Sequence, residues 1–288
     1  MAVAEKLSYL NETKKQIKSA LQSKGVSVSD SDTFRSYADK INQISSDGQL
    51  PDFMSARNFT FDGNKCVGYV GDNSLPEIII PKSYSIDDGG NFIDGNDYQV
   101  TEVASSDGSH SGFSAFTGKI IVPKGITKLS RAVFYSCDAQ TIILPSGLDV
   151  YDTRVEIPTL SFQNSYINHI DIPDGVQVIG VSAFQDCGSL RSIILPNSLE
   201  VISQNGFYGC GSLEYINIPL NVIGIGQNAF SLCNMLKYVR LMPTTPPTLS
   251  NRQALPSSIE RIEVPSESLS AYQTATNWSN HANKMVGV

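Results

Sequence analysis

The chain has 288 residues, with 21 Lys+Arg against 28 Asp+Glu and a formal charge of −7. That balance excludes a general nucleic-acid binder, which needs concentrated positive charge. No apolar run approaches the ~18–20 residues of a membrane span, so no membrane insertion is expected. Hydrophobics at 41% with 22 Gly and 14 Pro describe a folded chain rich in turns.

In chain order, residues 1–48 differ in kind from the rest. Val3, Leu7, Leu10, Lys14, Ile17 and Leu21 follow a 4-3-4-3-4 spacing, the seam of a helix. Lys24-Gly25 closes it, and Ser31 or Asp32 caps a second helix carrying Phe34, Tyr37, Ala38 and Ile41. The segment reads as a small α-helical anchoring and oligomerisation unit with Leu7, Leu10, Ile17 and Leu21 as its apolar contacts. The opening MAVAEKLSYLNETKKQ lacks the apolar core of a secretory signal, and none is expected.

Residues 49–110 read as an N-terminal cap and an irregular first repeat. They contain Asp87-Asp88 and Asp94–Asp97 in a Gly-rich insert. Without the D-x-[DN]-x-[DN]-G order and a distal Glu, the insert reads as a solvated loop and not a calcium site.

From 111 to 265 the sequence repeats. Three stretches starting at Ile170, Ile193 and Ile216 align with prolines at 173, 196 and 219, a period of 23. Phe184, Phe207 and Phe230 keep the same step, as do Cys187, Cys210 and Cys233. Fainter copies end at Pro145, with Phe134 and Cys137, and at Pro123, with Phe116. The 28 residues from Pro145 to Pro173 hold an insertion near Tyr151–Glu156, with Phe162 and Ser165 in the Phe and Cys places. Each I-x-[IL]-P reads as a short strand ended by proline. One coil cannot bury its own apolar face, so stacked coils must share a core. The fold class is a repeat solenoid with short parallel β-strands along one side. The tail 266–288, with Tyr272, Ala275 and Trp278 at 3-spacing, is its C-terminal cap helix.

Candidate chemistry is thin. Gly224-Ile225-Gly226-Gln227-Asn228-Ala229 fits G-x-G-x-x-A but falls on a coil corner, without the strand and helix of a dinucleotide site. The cysteine ladder takes small buried sites as free thiols. His110, His169 and His281 lack ligand spacing, and no nucleophile or metalloprotease motif occurs; neither an enzyme, a metal nor a cofactor is expected. Strand alternation does put two columns on one exposed face. His169, Tyr215, Tyr238, Arg240 and Arg261 fall there as candidate ligand-binding residues, the last four as an aromatic-cationic patch.

The repeat IxIPxxVxxIGxxAFxxCxSLxxI resembles the BspA-like leucine-rich repeat family, from about Pro76 to Pro265. FTFDGNKCVGYVGDNSLPEIIIP and DYQVTEV resemble that family's opening segment. The resemblance implies a right-handed solenoid for binding or adhesion, commonly on bacterial surfaces, with no catalytic residues. Residues 13–41 are similar to a two-helix segment that starts many phage and prophage tail or other virion proteins. Together the resemblances imply a non-enzymatic virion protein of tail-tip, fibre or receptor-binding type. Residues 1–48 would hold other virion proteins and form a homo-oligomer, and the solenoid would bind a host cell-surface protein or glycan. The alternatives are a bacterial cell-surface or secreted adhesin, or a capsid decoration protein.

Overall fold

The computed structural model describes residues 55–87, 89–105, 111–149 and 154–288. The helical seam of Leu7, Leu10, Ile17 and Leu21, the second helix and the 13–41 segment lie outside the described residues.

The first strands form an antiparallel hairpin, β1 (Phe59–Asp62) and β2 (Lys65–Tyr69), which opens the stack. Strand β3 (Glu77–Ile79) is the first rung of one face. The acidic insert is not a loop: β4 (Ser83–Ile86) and β5 (Phe92–Gln99) pair as a second hairpin. Asp87 makes its turn by accepting from the amides of Gly89 and Asn91 at 2.9 and 2.8 Å. Tyr84, buried, stacks on Phe61 at 4.1 Å and docks the hairpin.

Coils then follow in alternation. They run β6 (Glu102–Val103), β7 (Lys119–Ile121), β8 (Lys128–Leu129), β9 (Thr141–Ile143), β10 (Glu156–Ile157) and β11 (His169–Asp171). Next come β12 (Val178–Ile179), β13 (Ser192–Ile194), β14 (Val201–Ile202) and β15 (Tyr215–Ile218). The last coils hold β16 (Gly224–Ile225), β17 (Tyr238–Leu241), β18 (Thr248–Leu249) and β19 (Arg261–Val264). Odd-numbered rungs give one parallel face as two sheets, β13-β11-β9-β7-β3 and β15-β17-β19-β20, where β20 is Met285–Gly287. The even-numbered rungs build a second face, β10-β12-β14-β16-β18, continued by β8 and β6 beside the first hairpin. Sequence alternation predicts one sheeted side; two-residue strands such as Val178–Ile179 make a second. Between β9 and β11 only Thr141 and His169 pair, against three pairs between β7 and β9. The 28-residue coil loosens the register there.

The core is a column of rings. Phe134, Phe162, Phe184, Phe207 and Phe230 are fully buried, with successive centroids 5.4, 4.9, 5.2 and 5.2 Å apart. From Phe162 onward the ring planes stay within 6° of parallel. Below Phe134 the column continues with Phe113 at 5.6 Å, not with Phe116, which packs on Tyr69. Each buried ring contributes roughly 1.5–3 kcal/mol.

What spaces the rings is backbone. Phe162, Phe184 and Phe207 donate their amides to Ala183, Gly206 and Ala229 of the next coil, each at 2.8 Å. Two positions before and two after each ring, φ is positive: Leu160 and Asn164, Ser182 and Asp186, Asn205 and Gly209, Asn228 and Leu232. Around Phe162, Phe184 and Phe207 the amides at these positions also reach backbone carbonyls of the next coil, as Ser182 to Gln204 and Asp186 to Tyr208. Residues between them close local turns, such as Gln185 to Ser182. Asn, Asp and Gly adopt this conformation readily; Leu pays for its Cβ.

The cysteines are not merely small apolar fillers. Cys187, Cys210 and Cys233 donate their thiols to the carbonyls of Phe162, Phe184 and Phe207 in the preceding coil, at 2.9, 3.1 and 3.0 Å. Cys137 does the same to Phe113 at 3.3 Å. All five cysteines are free and buried. Burial pushes the Cys137 thiol up to about 12, and the Cys66 and Cys210 thiols also rise through desolvation.

The tail covers the last coil with helix α1 (Leu269–Thr274) and a 3₁₀ segment Trp278–Lys284. Tyr272 donates to the Pro243 carbonyl at 2.8 Å and Trp278 to that of Pro247 at 2.7 Å. Beyond the expected helix, β20 pairs in parallel with β19 and adds a rung. His281 is buried in this cap with Nε2 unpartnered. Desolvation lowers its pKa, Lys284 lowers it further, and a hydrogen bond to the Arg252 backbone partly opposes both.

Three outcomes follow for stability. Phe207→Ala opens a mid-column cavity and costs about 3–5 kcal/mol in equilibrium urea unfolding; a loss below about 1 kcal/mol contradicts the column. Leu232, 53% exposed at φ 60°, gains from a residue that tolerates the left-handed region. Leu232→Asn raises stability by roughly 0.5–1 kcal/mol in the same assay. For His281 the unfolded chain takes up a proton first as pH falls below about 6.5, so its contribution is present above that pH and lost below it. The thermal midpoint of wild type therefore drops more between pH 8 and pH 5 than that of His281→Gln.

Candidate functional site

The first face carries the exposed side chains that alternation predicts. On β15, β17 and β19, register places Tyr215 beside Tyr238 and Tyr238 beside Arg261. The second column runs Asn217, Arg240 and Glu263. Inward-facing Ile216, Val239 and Ile262 are buried and hold the three strands on the core. Tyr215 and Tyr238 are 47% and 49% exposed, so two half-exposed tyrosines occupy neighbouring register positions on a fixed β scaffold.

The patch is less cationic than the sequence columns imply. Glu263 Oε1 accepts from Arg261 Nε at 3.0 Å, and Arg240 Nε lies 4.0 Å from Glu263 Oε2. One carboxylate thus serves both guanidinium groups and leaves a net charge of about +1. Exposed pairs of this kind add little stability, but they fix long side chains in place.

His169 belongs to a different group. It lies on β11, in the sheet that ends at β13, whereas the Tyr/Arg strands form the next sheet. Its Nε2 is 2.8 Å from Asp171 Oδ1, and its Nδ1 is 2.7 Å from Ser192 Oγ. His169 also lines an open groove of about 870 Å³ along the N-terminal edge of that sheet. The groove brings together Asp138, Gln140, Tyr166, Asn168 and Arg191. None of these five was legible as a site residue, because each stands before its strand and outside the period-2 pattern. The available signal was a third column: Gln140, Asn168 and Arg191 each precede the first residue of their strand. In later coils the same phase holds Lys237 and Glu260, paired at 3.1 Å.

The dinucleotide-like segment has an architectural explanation. Gly224–Ile225 is strand β16, and a Cβ on Gly226 would lie 2.5 Å from the Gln204 nitrogen of the preceding coil. Close coil approach accounts for that glycine. Among the described residues, no His, Cys, Asp and Glu side chains gather in a group of three suited to a metal ion. No helix among them is long and apolar enough to cross a membrane.

Parallel strands of two to four residues, a ring column and left-handed corners repeated about every 23 residues define a leucine-rich repeat solenoid. The model of the BspA type leucine rich repeat region matches residues 107–154 and 155–281 in six copies, and the chain belongs to that family. Among solved structures, a leucine rich repeat protein of T. pallidum is 22% identical, with 82% of this chain and 95% of that chain covered and a TM-score of 0.50. A leucine rich cell surface protein of Faecalibacterium prausnitzii is 18% identical, covering 77% and 72%, with a TM-score of 0.43. A leucine-rich repeat protein of Bacteroides ovatus is 18% identical over 75% and 70%, with a TM-score of 0.31. No curated protein matches the chain.

Proposed function

We propose that this chain is a non-enzymatic binding protein of a bacterial surface, and that Tyr215, Tyr238, Arg240 and Arg261 receive a host-surface protein. The observation that carries it is the pair of half-exposed tyrosines in parallel register, flanked by Glu263-tethered arginines. Tyr and Arg are enriched among residues that dominate binding energy, and a pre-ordered scaffold lowers the entropy cost of using them. Repeats of this family typically serve as binding and adhesion scaffolds, commonly on bacterial surfaces, and the burial of the thiols keeps them from acting as nucleophiles.

The virion reading draws on residues 13–41 alone. In that case residues 1–48, through Leu7, Leu10, Ile17 and Leu21, attach the chain to a particle as a homo-oligomer. Mass spectrometry separates the two readings. Peptides from 56–288 released by protease from intact producing cells support the surface reading; peptides confined to purified phage particles overturn it in favour of the virion.

Binding itself has its own test. Labelled full chain adheres to host cells, and the Tyr215→Ala/Tyr238→Ala double variant lowers that affinity by about tenfold or more at an unchanged melting temperature. Undiminished adhesion by the double variant overturns the assignment of this face.

A further inference from the structure

We infer that the groove beside β9, β11 and β13 is a second, separate site, one that takes a short neutral oligosaccharide. It shares none of the four Tyr/Arg residues, so it stands or falls independently of the partner proposed for them.

Three observations lead there. First, the groove has unspent hydrogen-bonding capacity. The side chains of Asp138, Gln140, Asn168 and Arg191 line it and form no hydrogen bond or ion pair with another described residue. At the same repeat phase the next coil holds Glu214, whose side chain is likewise without a partner among the described residues, and beyond it Lys237 and Glu260 neutralise each other.

Second, the backbone beneath is already committed. Tyr166 donates its amide to Cys137 at 2.9 Å, Asn168 to Gln140 at 3.0 Å, and Arg191 to Asn168 at 2.9 Å. A peptide cannot add here as a strand, because the main-chain groups it would pair with serve the neighbouring coil. Recognition must run through side chains.

Third, those side chains suit hydroxyl-rich ligands. Each amide of Gln140 and Asn168 offers donors and an acceptor together, as a pair of adjacent sugar hydroxyls requires. The carboxylate of Asp138 accepts only and the guanidinium of Arg191 donates only, so the two charges cancel across the groove. A strongly anionic glycan would meet Asp138, and a cationic peptide would meet Arg191. Tyr166, 59% exposed, presents a ring on which the C–H face of a pyranose can rest. The rest of the lining is His169 and the hydroxyls of Thr117, Ser189, Ser192 and Ser212, with no aliphatic side chain among them to anchor a peptide. Successive rungs lie about 4.8 Å apart, so Gln140, Asn168, Arg191 and the next coil span about 14 Å, the reach of a short oligosaccharide.

The test uses the full chain on an array of neutral hexose and N-acetylhexosamine oligosaccharides, alongside sialylated and sulfated ones. The strongest neutral binder is then titrated by calorimetry. The expected result is saturable binding to a neutral oligosaccharide with a Kd of about 1 mM or tighter. Tyr166→Ala and Asn168→Ala, both at exposed positions, weaken it tenfold or more at an unchanged melting temperature. Tyr215→Ala/Tyr238→Ala leaves it intact. Absence of any neutral binder overturns the inference. So does binding that the two groove variants leave unchanged, or binding confined to anionic glycans and abolished by salt.

Discussion

From Phe134 to Phe207, each coil is held at a fixed height by amides that reach across to the next coil at the phenylalanine and on either side of it. That arrangement requires alternate residues to point their N–H groups along the stack while the residues between them turn the chain. Two left-handed positions per coil meet the requirement, and only Gly209 among the eight from Leu160 to Leu232 is glycine. The rings do not set the spacing; they fill it. Centroids about 5 Å apart with nearly parallel planes are what a coil-to-coil step close to the inter-strand distance imposes on one side chain per rung. The thiols of Cys137, Cys187, Cys210 and Cys233 belong to the same device, since each ties its coil to a phenylalanine carbonyl of the preceding coil.

The same constraint organises the surface. Once backbone register is fixed, any residue at a given repeat phase stands over its counterpart in the next coil. Tyr215 and Tyr238 are adjacent for that reason, as are Tyr238 and Arg261 in the same column and Arg240 and Glu263 in the other. Loss of register has visible effects too. Where the coil lengthens before β11, pairing to β9 shrinks to one residue pair, and the open edge groove lies along this stretch. A solenoid can therefore carry different chemistry on successive stretches of one face without altering its core.

Much of this was legible in the residues. The 23-residue step of Pro173, Pro196 and Pro219, with its phenylalanines and cysteines, specifies a stack, and period-2 alternation places the exposed columns correctly. What escaped had physical reasons. Two-residue strands such as Val201–Ile202 are too short for alternation to show, so the second face was invisible. Leu160 and Leu232 carry no sign of positive φ; tertiary context overrides their preference. Strand β20 lacks the proline that marks other rungs. The β4–β5 hairpin is rich in Asp, Gly and Asn, residues that read as loop. Phe116 and Phe113 compete for one ring position, and only packing decides between them. Asp138 and its groove partners lie before the strands, where no rule of alternation selects a residue.

Residue-resolved amide hydrogen exchange reads the inter-coil bonds themselves. The amides of Phe162, Phe184 and Phe207, with those of the flanking left-handed residues, are expected to exchange among the slowest of the described residues. Amides of the local turns between them should exchange faster. Rapid exchange at all three phenylalanines under native conditions would mean that the coils are not bonded to one another there, and the stack would have to be abandoned.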